Sequence, residues 1–366
     1  MKNNFIISLS IIAVTACTQI SKPTVTSEDW GTVDSKPVYL FTLINSNGVS
    51  AKITNYGGIV VEYNAPDRDG QMENIVLGLG SLDDYLAGHP SFGCIIGRFA
   101  NRIAGAKFTL DDTEYTLAVN SGDNHIHGGI IRFSHKVWDA ATSTDEQSAT
   151  LLLVCTTADM EEGYPGNMTV TAEYALTNDN ELQIRYTAVT DKPTVLNLTN
   201  HSYFNLTGCK EDTRGHQVRI YADSYTPMGE GNIPTGEIIS VEGTPYDLRQ
   251  WTTISDRLTD LPRGYDDNFC VKGTPDNIVL AAELYEPKSG RLLQTYTTEP
   301  GVQFYTARNL DGSKTSSMGI AYTSFMGVCF EAQHYPDSPN KPNFPTTVLR
   351  PGEKYSQVTI YKVGLL

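Results

Sequence analysis

The chain has 366 residues and a formal charge of −15, with 42 acidic against 27 basic side chains. That balance excludes nucleic acid or an anionic membrane surface as a partner held by charge, because both demand a basic face. With 40% hydrophobic residues there is material for a large core, and the composition marks neither a repeat nor an internal linker.

In chain order, Met1-Lys2 is a short basic start, Phe5 to Val14 is largely apolar, and "VTAC" ends in small residues before Cys17. The apolar stretch is too short for a bilayer crossing, which takes roughly 20 residues, so residues 1–16 predict a secretory leader. Small residues before Cys17 resemble a bacterial lipoprotein cleavage box, which would leave Cys17 lipidated, with the protein exported to the cell envelope as a periplasmic or membrane-anchored lipoprotein. Cleavage without lipid is the alternative. Residues 17–36, polar and containing Pro23, predict a tether, and residues 37–366 predict one folded domain.

β-branched and aromatic runs then recur with turn residues between them: "VYLFTLI" before "NSNG", "IVVEYNA" before "DRDG", "ATLLLVCTT", "MTVTAEYALT" before "NDN", "ELQIRYTAV", "NIVLAAELYE" before "PKSG", and "YSQVTIYKV". One helical turn is predicted at "SLDDYL", capped by Ser81. The pattern is all-β, a large antiparallel β-sandwich. With Cys17 lipidated, Cys94, Cys155, Cys209, Cys270 and Cys329 remain. Cys94, Cys270 and Cys329 sit in apolar runs and read as buried free thiols, with one disulfide left open. "HIHGG" places His125 and His127 on one face like a metal pair, but no further ligands stand near them in sequence, so no metal is expected.

Two stretches carry unusual polarity. "TVLNLTNHSYFNLTG" reads by period two as a strand with Asn197, Thr199, His201 and Tyr203 on one face, which suits a wet groove for a hydroxyl-rich ligand. A solvent-facing sheet surface is the plainer reading. Further on, an apolar strand from Ala321 to Phe330 delivers Glu331, with Gln333 on the same side, before a proline-punctuated loop. A carboxylate there is partly desolvated, which raises its pKa toward that of a general base. "NLT" at 197 and 205 and "NMT" at 167 match a glycosylation pattern that a bacterial envelope makes improbable, and Trp30, Trp138 and Trp251 serve either sugar stacking or the core.

"GRFANRIAGAKFTLDDTEYTLAVNSGDNHIHGG", "LNLTNHSYFNL", "YDDNF", "TEPGVQFYT" and "FEAQHYPDSPNKPNFPTTVLRPGEKY", in that order, resemble the aldose 1-epimerase (galactose mutarotase) family from about residue 36 onward. The resemblance implies a single supersandwich domain and a free monosaccharide substrate, with no cofactor. It implies Glu331 as general base, His201 as general acid, and His127 as a second active-site histidine. Asn101, Arg102, Asp266 and Gln303 match residues that hold sugar hydroxyls. The family's Glu-Thr-Gln is Glu331-Ala332-Gln333 here, and Ala332 points away from its neighbours, so only packing should differ. The implied chemistry opens the hemiacetal, rotates C1 and recloses it. It needs an acid protonated while the base is not, so His201 is expected to be held cationic near carboxylates, Asp266 among them. A non-catalytic sugar-binding protein and an epimerase for a phosphorylated or oligomeric sugar are the rival functions. A phosphate would call for basic residues beyond Arg98 and Arg102.

Overall fold

A computed structural model describes residues 22–366. The expected leader and Cys17 lie outside the described residues. The tether does not survive as drawn: Thr24–Val33 is a β-strand, antiparallel to Lys36–Ile44. The two are joined by Asp34 and Ser35 at φ 48° and 63°, the left-handed pair of a tight hairpin turn. This strand escaped the composition because it is a sheet edge. It satisfies its backbone along one side while most of its side chains stay exposed, so it has no apolar alternation to read.

Among the described residues, three large antiparallel sheets build the molecule, with five two-stranded pairings beside them. The first takes five strands in sequence order, from Thr24–Val33 through Lys36–Ile44, Ser50–Thr54 and Val60–Pro66 to Met72–Asn74. The largest has nine strands, with Tyr355–Leu365 at its centre between Glu181–Thr190 and Arg291–Thr297. The third, which carries the site, runs Ile239–Ser240, Ser224–Thr226, Asp266–Cys270, Gly301–Tyr305, Cys329–Gln333. Strands predicted at 168–177 and 181–189 form at those places because strict alternation buries Val170, Ala172 and Tyr174, and Leu182, Ile184 and Tyr186. The helix turn Leu82–Leu86 also forms, with Ser81 accepting the Asp84 N–H.

One core cluster joins the layers. Leu43 and Ile53 of the first sheet meet Leu151, Val170 and Ile184 of the largest, and Phe269, Val302, Phe304 and Phe330 of the third. The third sheet thus buries one face as apolar packing, and Tyr361 of the largest sheet donates its hydroxyl to the Phe330 carbonyl at 2.9 Å. Its other face is left to Asp266, Asn268, Gln303, Glu331 and Gln333. Among the described residues, no helix is long and apolar enough to cross a membrane. The five described cysteines are free thiols.

Candidate active site

The strand expected to run unbroken from Ala321 into Glu331 is two pieces, Ala321–Thr323 and Cys329–Gln333, separated by a turn at Phe325 with φ 65°. In the second piece, period two puts Cys329, Glu331 and Gln333 on the polar face. Register sets Gln303 directly opposite Glu331, and Asn268 opposite Gln303. Gln303 donates from Nε2 to Asp266 Oδ1 at 2.8 Å. Gly301 leaves room for the Asn268 side chain, since a Cβ there would lie 2.4 Å from Asn268 Oδ1.

The polar segment at 194–206 is not the continuous wet strand expected from the sequence. It makes two-residue pairings at Thr194–Val195 and Thr199–Asn200, and every residue from Thr194 to Leu206 is buried. Its asparagines serve backbone rather than ligand. Asn197 accepts the His334 N–H at 2.9 Å and donates to the carbonyls of His334 and Ala100. Asn200 donates to Gly93 O, and Asn205 donates to Glu211 O and Met326 O. Side-chain amides thus replace ladder hydrogen bonds where the chain is irregular, as buried peptide groups require.

His201 is the residue of this segment that faces Glu331. Its Nε2 lies 3.5 Å from Glu331 Oε2, its ring stacks on Tyr203 with centroids 5.0 Å apart, and its Nδ1 lies 3.5 Å from Cys329 Sγ. The His127 ring meets it edge-on at 5.3 Å. His127 is held by a reciprocal clamp in which its N–H donates to Asn101 O and its Nδ1 accepts the Asn101 N–H. Both residues have left-handed backbone, φ 54° and 63°, and Gly128 follows at φ 85°, where a Cβ would strike Gly97 O at 1.9 Å. Asn101 spends its Oδ1 on the Arg102 N–H, so it positions its neighbours, and Arg102 keeps a buried Nε without a protein partner.

All seven residues singled out from the sequence, Asn101, Arg102, His127, His201, Asp266, Gln303 and Glu331, gather around this face. Buried polar atoms without a protein partner concentrate here too: Glu331 Oε2, Gln303 Oε1, Asn268 Oδ1, Arg102 Nε and both side-chain heteroatoms of Gln333. Such atoms cost free energy unless a ligand engages them. Gln333 and Cys329 lay outside the predicted set, although the same alternation that marks Glu331 points to both. Beside Asp266 and Tyr305 a cavity of about 280 Å³ opens, lined also by Tyr246, Arg263 and Arg308.

Electrostatics revise one expectation. Burial, reinforced by the Asp266 charge and opposed by Arg102, raises the Glu331 pKa well above the carboxylate range. Burial also pushes His201 down to about 3. Asp266 is bonded to Gln303 and acts on Glu331, so it does not hold His201 cationic as expected. Both shifts run toward the uncharged forms, a protonated Glu331 carboxyl and a neutral His201 ring. Burial dominates because two ions taken from water lose more solvation than a 3.5 Å contact returns.

His127, His201 and Glu331 each offer a ligand atom within 4.8 Å of the others. Because His127 Nδ1 accepts a backbone N–H, its neutral ring carries hydrogen on Nε2 and presents a donor there. A metal would need that lone pair, so the trio does not fit one. His125 is turned away, bonded to Ala118 O and the Tyr164 hydroxyl. Arg98 is equally committed, donating to Thr157 Oγ1 and to the carbonyls of Ala158, Pro165 and Gly166. Trp138 is core.

Comparison with known proteins follows the same lines. A family model described as Aldose 1-epimerase matches residues 39–362. Galactose mutarotase of Homo sapiens is 40% identical over 324 residues, covering 88% of this chain and 93% of that protein. Aldose 1-epimerase of Escherichia coli K12 is 37% identical over 337 residues, covering 90% and 96%. The crystal structure of galactose 1-epimerase from Lactobacillus acidophilus NCFM superposes with a TM-score of 0.83 at 30% identity, covering 94% of this chain and 99% of that one.

Proposed function

The chain belongs to the aldose 1-epimerase family and is an isomerase interconverting α and β anomers of aldoses; we propose that it acts on free glucose and galactose with Glu331 as base and His201 as acid. The observation that carries this assignment is the buried pair Glu331 Oε2 and His201 Nε2, 3.5 Å apart. A binding protein has no use for two proton carriers at that distance.

Catalysis needs an ionised Glu331 and a protonated His201, the opposite of what burial favours, and sugar binding makes up the difference. A hexose brings hydroxyls to the unpartnered atoms of Gln303, Gln333 and Arg102, replacing the solvation that the Glu331 carboxylate lacks. The proton then moves from Glu331 to His201. Glu331 takes the C1 hydroxyl proton while His201 Nε2–H protonates the ring oxygen, and the C1–O5 bond breaks. The aldehyde turns about C1–C2, and reclosure on its other face runs both transfers backwards. Acid and base each contribute typically 10² to 10⁴ in rate. His127 presents Nε2–H, and Asp266 with Gln303 forms a donor–acceptor pair, for the remaining hydroxyls. Arg98, its donors engaged by protein, supplies no phosphate site.

Export and a lipid anchor at Cys17 belong to the same proposal, supported by the leader-like residues 1–16. Mass spectrometry of the mature N-terminus tests the anchor; an unmodified residue 17 or an intact leader refutes it. Exchange between the C1 signals of ¹³C-labelled glucose or galactose, followed by NMR, tests the activity. Exchange no faster than in buffer for both sugars refutes the substrate assignment.

A further inference from the structure

We propose that Cys329 is a positioning residue for the proton-transfer step: its sulfur accepts the Nδ1–H of His201, fixing the tautomer and keeping the imidazolium a strong acid. The proposal rests on His201 being the acid. Cys329 stands on the strand that carries Glu331, two residues before it on the same face, while His201 comes from a segment 128 residues away in sequence. Sγ and Nδ1 are 3.5 Å apart, and both residues are buried, Cys329 completely. Tyr203, stacked 5.0 Å over the imidazole, holds the ring plane so that Nε2 points at Glu331 and Nδ1 at sulfur.

The direction of this bond follows from the proton count. The acid must give its proton from Nε2, the atom facing the reacting groups, and be left neutral. Neutral imidazole keeps one hydrogen, which is then on Nδ1 and needs an acceptor. Sulfur lies there, and the ring also meets its own backbone carbonyl. Burial pushes the Cys329 thiol well above its ordinary value, with Glu331 and Asp266 adding to it, so the group stays a neutral thiol rather than a thiolate.

A weak neutral acceptor has a chemical consequence. A carboxylate at this position would stabilise the imidazolium and make it a reluctant donor. Sulfur orients the ring while stabilising the imidazolium much less. The titratable and charged groups around His201 are Glu331 and Cys329 on one strand, Asp266 and Tyr305 on the adjoining strands, Tyr203 on its own segment, and His127, His89 and Arg132 from the loops. Cys329 is the one on Nδ1.

The test combines two readouts on the whole protein. In ¹⁵N-histidine-labelled wild type, the His201 signal should show hydrogen on Nδ1 and a bare Nε2 at neutral pH; the reverse tautomer overturns the proposal. In the pH profile of kcat, whose alkaline limb reports the acid, Cys329→Ser, a stronger acceptor, should move that limb up by about half a pH unit. Cys329→Ala should move it down by about as much and lower kcat roughly tenfold, part of what an acid contributes. Limbs unmoved in both variants, with His201→Asn inactive, overturn the role of Cys329 and leave the acid standing. Full activity in His201→Asn overturns the acid assignment itself.

Discussion

Asn197 should be costly to remove, because one side chain ties three parts of the site together. Its Oδ1 accepts the His334 N–H at 2.9 Å, and its Nδ2 donates to His334 O at 3.2 Å and Ala100 O at 3.3 Å. His334 directly follows the strand bearing Glu331 and Gln333, Ala100 precedes Asn101 and Arg102, and Asn197 itself leads to His201. Asn197→Ala strips partners from three backbone groups around a completely buried side chain. At about 1–3 kcal/mol for each buried group left unpaired, with the longer donations at the low end, the expected loss is about 3–5 kcal/mol. Guanidinium unfolding measures it: the midpoint should fall while the slope with denaturant stays constant. kcat should fall by more than tenfold in protein that is still folded, since base, acid and Arg102 each lose an anchor. A loss below about 0.5 kcal/mol, the size of an ordinary surface change, would refute the stitching argument.

Other outcomes follow from the same geometry. Asp267 is raised to about 7, first by burial and then by the Asp266 charge, with the bond its carboxylate accepts from the Asp266 N–H opposing. A carboxyl raised on folding contributes stability below its unfolded value, and that contribution is lost as pH rises through about 7. Asp267→Asn should therefore raise Tm more at pH 8 than at pH 5, by at most about 4 kcal/mol in free energy at the higher pH; equal effects at both pH values contradict it. Gly128→Ala puts a methyl 1.9 Å from Gly97 O at φ 85°, so it should cost at least about 2 kcal/mol and displace His127, raising KM; calorimetry and kinetics on the variant decide. His334 donates to Glu299 Oε2 at 2.6 Å, and although burial lowers its pKa, the Glu299 charge and bond raise it overall. That pair should stabilise below pH 6.5 and weaken as pH rises through the folded value, so Glu299→Gln should cost less at pH 9 than at pH 6, as read from unfolding midpoints.

How legible these features were depended on what each residue does with its surroundings. Strands such as Met168–Thr177 announce themselves because one face is buried and the other is not. Thr24–Val33 is silent because an edge strand satisfies its backbone without burying a face. The asparagines of 194–206 misled for a related reason: polarity signalled a wet groove, whereas their amides complete backbone hydrogen bonds inside the protein. The residues of the site were reached through family resemblance, and periodicity alone supports Glu331. Whether His201 is charged could not be read from neighbouring letters, since burial and the Gln303–Asp266 bond are properties of the assembled sheet. Cys329 read as core for the same reason, its partner being 128 residues distant.

The most direct measurement is the optical rotation of freshly dissolved α-D-glucose and α-D-galactose with wild type and Glu331→Gln, the spontaneous rate subtracted. Wild type should speed the decay of at least one sugar. Glu331→Gln, isosteric but unable to accept the C1 proton, should reduce that acceleration by about 10² or more while leaving the fold intact. Acceleration surviving in Glu331→Gln, or absent from wild type with both sugars, would contradict the account.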